Sequence, residues 1–127
     1  MSRIQNKFSE LESSGDKALV TYIMVGYPNH KDTLSAVRGL IEGGADIIEL
    51  GFPFSDPLAD GPVIQHASTI SLEKGTKMVQ FLSLVKQIRK ESQIPLVLMT
   101  YTNILYYKGY ERFFKLAKEA EIGRAHV

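Results

Sequence analysis

The sequence predicts an α/β protein built on a parallel sheet. Three observations carry that prediction: near-continuous apolar runs, helical apolar stripes between them, and polar or glycine residues gathered where each run ends. Strands buried on both faces read as unbroken apolar stretches, and parallel strands need long crossovers, which the intervening stripes supply as right-handed βα units. Such a sheet either stays open and doubly wound or closes as a TIM barrel. In both, ligands sit at the carboxyl ends of the strands.

Each element has its own grounds. Ile4, Phe8 and Leu11 repeat at helical spacing before "SSG" stops the turn, which predicts an N-terminal helix ahead of the first strand. "KALVTYIMVGYP" is rich in β-branched and aromatic residues and ends at Gly26 and Pro28, so it reads as a strand buried on both faces. Leu34, Val37, Leu40 and Ile41 give a helix stripe closed by Gly43 and Gly44. "ADIIELG" is a second buried strand, and "PVIQHASTISLEKG" a short helix with Pro62 in its first turn. Met78, Phe81, Leu82, Val85 and Ile88 mark a longer helix. "IPLVLMTYTN" is the third strand, and Phe113, Leu116, Ala117 and Ala120 the last helix. "YYKGY", Tyr106–Tyr110, reads as a packed loop before it. Gly26, Glu49–Gly51 and Tyr101–Asn103 all fall at strand ends, so the polar residues share one rim.

Composition narrows the function classes. The chain has 127 residues, enough for one domain, with 44% hydrophobic and 23% charged residues. A net charge of +1 gives no electrostatic case for nucleic acid or an anionic membrane, and no apolar run is long enough to span a bilayer. The absence of cysteine excludes disulfides and thiolate metal sites and fits a reducing, cytoplasmic setting. His30 reads as loop and His66 as a polar helix position; no histidine pair has metal-ligand spacing, so no metal is expected. Lys86, Arg89 and Lys90 read as a solvated helix face. The last residues, "EIGRAHV", have no capping or folding logic and look like an in-frame translation of a common sequencing adapter. Residues 122–127 are therefore expected to be a non-native tail, and residues 1–121 part of one domain.

"ELGFPFSDPLADGP", Glu49–Pro62, carries the chemistry. An ionised glutamate in an apolar strand is costly unless it is paired or solvated at a pocket. Periodicity alone fits a strand-end Glu bonded to backbone or lysine. The loop that follows tips the balance, because Pro53, Pro57 and Pro62 stiffen it and Asp60 stands far enough along to fold back over the strand end. Two carboxylates facing one cavity, in unlike environments, are suited to proton transfer. The alternative for Asp56 and Asp60 is turn chemistry, since Asp-Pro and Asp-Gly are ordinary turn dipeptides; Asp56 fits that as well as it fits a function.

"ELGFPFSDPLADGPVIQ" resembles the signature of the tryptophan synthase alpha chain family, and "GADIIELG", "VTYIMVGYP" and "LMTYTNIL" are similar to it too. The resemblance runs from Met1 to Ala120. It implies a TIM (β/α)8 barrel with an extra N-terminal helix, of which about the first three βα units are present, and no cofactor. It implies a lyase that cleaves indole-3-glycerol phosphate to indole and glyceraldehyde 3-phosphate by a retro-aldol reaction. Glu49 matches the acid–base glutamate and Asp60 the aspartate that bonds the indole N–H. Tyr22, Met99 and Tyr101 match substrate-pocket positions. The implied partner is a tryptophan synthase beta chain in an alpha2-beta2 complex, with Phe54, Asp56 and Pro57 at the interface. A barrel takes ~250 residues, and the family's phosphate-binding loops lie in the later units, so this chain alone is expected to be inactive. The alternative is a non-catalytic partner-binding module that uses the 52–60 loop; phosphate-sugar isomerases on similar barrels lack this loop. A Glu49 facing the cavity between the strand ends favours the lyase.

Overall fold

The structure, a computed structural model, describes residues 2–126; Val127, the last of the expected tail, lies outside the described residues. The order of elements is α1 (Arg3–Ser14), β1 (Val20–Met24), α2 (His30–Glu42), β2 (Ile47–Gly51), α3 (Pro62–Glu73), α4 (Met78–Glu91), β3 (Leu96–Met99), α5 (Thr102–Lys108), α6 (Tyr110–Glu119) and β4 (Arg124–His126). The strands form one sheet in the order β1-β2-β3-β4, every pair parallel.

Local chemistry sets the boundaries. Ser2 and Gln5 form a capping box at the start of α1, and Gly15, at φ 76°, ends it in the left-handed conformation. Asn29 caps α2 by accepting from the Asp32 amide. Pro62 opens α3, where its missing N–H costs nothing. Arg3 bonds Gln93 and pairs with Glu121, so α1 is tied to the loops that lead into β3 and β4, at the amino end of the sheet.

Register fixes what each face carries. Thr21–Ile48–Leu96 and Ile23–Leu50–Leu98 are rows on one face; Tyr22–Glu49–Val97 and Met24–Gly51–Met99 are rows on the other. The first face packs with Val37, Phe81, Val85, Ile88 and Phe113 to form the core. Full burial of each such side chain stabilises the fold by about 1.5–3 kcal/mol. On the second face Tyr22, Glu49, Val97 and Met99 are half-buried.

Four sequence expectations change here. The first strand is not buried on both faces: Val20 is 51% exposed, because β1 is an edge strand among the described residues. β3 ends at Met99, and the run continues as α5, so Tyr106–Lys108 are helical and not loop. His30 opens α2, and its Nε2 lies 2.9 Å from Thr76 Oγ1. Arg89 is half-buried, not solvated: it donates to the carbonyls of Ile94 (2.5 Å) and Glu121 (2.8 and 3.0 Å), and burial first, then Arg3, pushes its pKa down to about 10. Three βα units are present, as expected, with β4 added beside β3.

Candidate active site

The site lies at the carboxyl ends of β1, β2 and β3. Beyond β2 the Phe52 amide still reaches the Met99 carbonyl (2.9 Å), so the chain leaves the sheet in a fixed direction. The Phe52 ring packs edge-on against Phe81. Phe54 is held at both backbone groups by one side chain: its amide donates to Ser68 Oγ and its carbonyl accepts from it, each at 2.9 Å. Two tight turns follow, Leu58 N–H to the Asp56 carbonyl (2.8 Å) and Asp60 N–H to the Pro57 carbonyl (3.1 Å). They fold the loop back over the strand ends.

That return brings Asp60 to Tyr101. The Tyr101 hydroxyl donates to Asp60 Oδ2 at 3.0 Å and accepts from the Ala59 amide at 3.2 Å. The Phe54 ring stacks on Tyr101, with centroids 4.7 Å apart. Gln65 Nε2 donates to the Asp60 carbonyl (2.7 Å), so α3 holds the loop at this end too. A cavity of about 370 Å³ opens between these groups, lined among others by Tyr22, Met24, Phe52, Asp60, Met99 and Tyr101.

Glu49 stands on the same face of the sheet, half-buried, one row nearer the amino end. Its charge reaches Tyr22, its register neighbour on β1. Burial first, then Asp60, Glu49 and Tyr101, push the Tyr22 phenol up to about 12. The Tyr22 ring crosses over Gly51: a Cβ there would fall 2.0 Å from the Tyr22 hydroxyl, so only glycine lets the ring lie across the end of β2. Tyr101 is also raised, by burial and by its bond to Asp60, against the lowering effect of the Ala59 amide. Both phenols stay neutral at physiological pH. The arrangement sets Asp60 and two neutral phenols over an apolar floor, with Glu49 on the same face of the sheet one row away, and this can bind a flat aromatic group and move a proton at its edge.

The structure thus gathers Tyr22, Asp60, Met99 and Tyr101 around one cavity, with Glu49 on the same face. Asp56 is exposed and accepts from the Ser55 hydroxyl (3.1 Å), and Pro57 is half-buried. Phe54 turns a ring face to Tyr101, while Leu58, not singled out in the sequence, is 93% exposed at the loop tip. Ser68 was missed as well. Its signal is in the sequence: Ser68 and Ser71 interrupt an apolar stripe begun by Ile64 and Ala67 on α3. A second buried polar cluster joins the end of β1 to the α3–α4 turn. Ser71 Oγ lies 2.5 Å from the Val25 carbonyl and 2.9 Å from Thr76 Oγ1, and Gly26, at φ 85°, leaves room for both hydroxyls. Among the described residues no group of three His, Cys, Asp or Glu side chains is placed to hold a metal, and no helix is long and apolar enough to cross a membrane.

Comparison with known proteins places the chain in a family. The family model described as "Tryptophan synthase alpha chain" matches residues 8–125. A tryptophan synthase alpha chain from Aquifex aeolicus is 46% identical over 123 residues, which is 96% of this chain and 47% of that protein. One from Thermoanaerobacter is 46% identical over 122 residues, again 96% and 47%. A crystal structure of tryptophan synthase subunit alpha from Legionella pneumophila superposes with a TM-score of 0.94 at 39% identity, covering 96% of this chain and 47% of that one. Tryptophan synthase from M. tuberculosis, in an aminoacrylate-bound form, superposes at 0.89 and 33% identity, covering 96% and 49%. The chain spans about half the length of the curated relatives it matches. The α/β architecture is that of the first part of their TIM barrel, and the chain belongs to the tryptophan synthase alpha chain family.

Proposed function

We propose that the family-length protein carrying this segment is a lyase of tryptophan biosynthesis that splits indole-3-glycerol phosphate into indole and glyceraldehyde 3-phosphate. The observation that carries the reading is the Asp60–Tyr101 hydrogen bond at the rim of a cavity floored by Tyr22 and Met99, with Glu49 on the same face. In this reading Glu49 delivers a proton to indole C3 and takes one from the side-chain hydroxyl next to it. The C3–C bond breaks, its electron pair returns to the ring, and the hydroxyl carbon becomes the aldehyde. Asp60 accepts the ring N–H and balances the positive charge that C3 protonation puts on the ring. Tyr101 fixes the Asp60 oxygen, and Tyr22 and Met99 supply apolar walls. The phosphate is held by residues of the later βα units. No cofactor or metal is needed for these steps.

The partner in this reading is a tryptophan synthase beta chain, in an alpha2-beta2 heterotetramer in the cytoplasm, which receives the indole. The loop at the cavity mouth supports this: Asp56 and Leu58 are exposed at its tip, with Phe54 and Pro57 behind them. Those same exposed residues are what the partner-binding-module reading would use. We also propose that residues 122–127 are a non-native tail on a longer natural chain. Resequencing the gene decides that point, and the same codons in an intact locus would refute it. The test of the main proposal is a product assay on the family-length protein. Indole and aldehyde appearing in equal amounts support the lyase; partner binding without product supports the module.

A further inference from the structure

We propose that Ser68, on α3, is a positioning residue that sets the Asp60 carboxylate through Phe54 and Tyr101. The inference deepens the lyase reading and rests on it for its catalytic consequence. Ser68 is 1% exposed, and its hydroxyl both accepts from the Phe54 amide and donates to the Phe54 carbonyl, each at 2.9 Å. One side chain therefore takes the place of a strand neighbour for a loop residue that the sheet no longer pairs. With its backbone pinned there, the Phe54 ring stacks on Tyr101 at 4.7 Å with 26° between planes. Tyr101 then has its hydroxyl fixed between the Ala59 amide and Asp60 Oδ2. Each link is a direct contact, and the last one ends on the carboxylate.

The inference explains why a buried serine interrupts the apolar stripe of α3. A serine in a helix usually bonds back to its own helix. This one spends both its donor and its acceptor on the loop. The loop is otherwise tied to α3 by the Gln65 side chain at the Asp60 carbonyl, so α3 grips it near both ends. Removing the Ser68 hydroxyl leaves two Phe54 backbone groups without their partner, and an amide and a carbonyl in a part-buried place seek new ones by moving. Phe54 moves with them, and Tyr101 loses the surface that orients it.

The experiment uses the family-length protein with ring-13C tyrosine. Two variants are compared with the wild type: Ser68→Ala, and Phe54→Leu, which keeps both bonds to Ser68 but removes the stacking ring. The Tyr101 phenol is titrated by NMR, thermal unfolding checks that each variant folds, and indole release is measured. The expected result is a fall of the Tyr101 titration midpoint toward the ordinary tyrosine range in both variants. With it, kcat falls by about tenfold to a hundredfold while KM stays within about twofold. A folded Ser68→Ala protein with the Tyr101 midpoint unmoved overturns the proposal. If Ser68→Ala does not fold, Phe54→Leu decides: a lowered midpoint supports the relay, and an unmoved one overturns it. A wild type that releases no indole sinks the lyase reading alone, because the titration still reports whether Ser68 sets the Tyr101–Asp60 pair.

Discussion

The two faces of the sheet follow different rules. On the helix-covered face Ile48, Leu50, Leu96 and Leu98 are at most 1% exposed, and every partner they need lies within the same βα units. On the other face Tyr22, Glu49, Val97 and Met99 are half-open, and the same face carries the candidate chemistry. One face is completed by local sequence. The other awaits strands that would close the barrel. The stability and the chemistry of this segment are separable: core residues lie on one face, and Tyr22 and Glu49 lie on the other, below the loop that carries Asp60.

The sharpest way to break that separation is Glu49→Gln in the family-length protein. It keeps the shape and removes the proton, so kcat should fall by about 10²–10⁴-fold, with the thermal transition nearly unchanged. Near-normal kcat would remove Glu49 from the mechanism. The opposite face predicts the reverse pattern. Ile88 is 1% exposed, and Ile88→Ala should cost about 2–5 kcal/mol in denaturant unfolding, with whatever protein stays folded keeping its kcat. A small stability loss would show that the core tolerates the cavity.

Smaller effects refine the picture at the rim. Asp56 is exposed and its side chain accepts from the neighbouring Ser55 hydroxyl, so Asp56→Ala should weaken mutual activation with a beta chain more than intrinsic lyase activity. Equal losses in the two assays would assign Asp56 to the site itself. The smallest effect is alkaline. Tyr22 titrates near 12 in the fold against about 10 in an unfolded chain. The unfolded state therefore loses this proton first as pH rises. The stability linked to Tyr22 is complete below pH about 10 and is lost between about 10 and 12. Tyr22→Phe should flatten the pH dependence of unfolding in that window; an unchanged profile would show that Tyr22 does not contribute.

The sequence makes the helix-covered face easy to read and the open face hard. The strands stand out because buried parallel strands are unbroken apolar runs, but the same run in β1 hides the fact that Val20 has no cover. α5 was missed because "TNILYYK" follows β3 with no turn residue between, and an apolar run alone does not separate strand from helix. Glu49 stood out as a carboxylate in an apolar strand, and Asp60 as one placed far enough along a stiff loop to return to the strand end, though Asp-Gly is also an ordinary turn. The contacts that join Asp60 to Tyr101 and Phe54 to Ser68 were not, because they cross 41 and 14 positions and depend on the turns between. Leu58 gave no signal at all: an exposed leucine at a loop tip looks like any other apolar residue until the fold shows where it points.

The open face is the inner side of a barrel of which this chain spans about half. The most direct test is the mass in solution of residues 1–127 alone, measured by light scattering on a size-exclusion column. Apolar inner-face residues and unpaired strand edges without cover drive association, so the account predicts multimers or aggregates well above the 14.2 kDa of one chain. A stable monomer at 14.2 kDa that holds across the concentration range would contradict it.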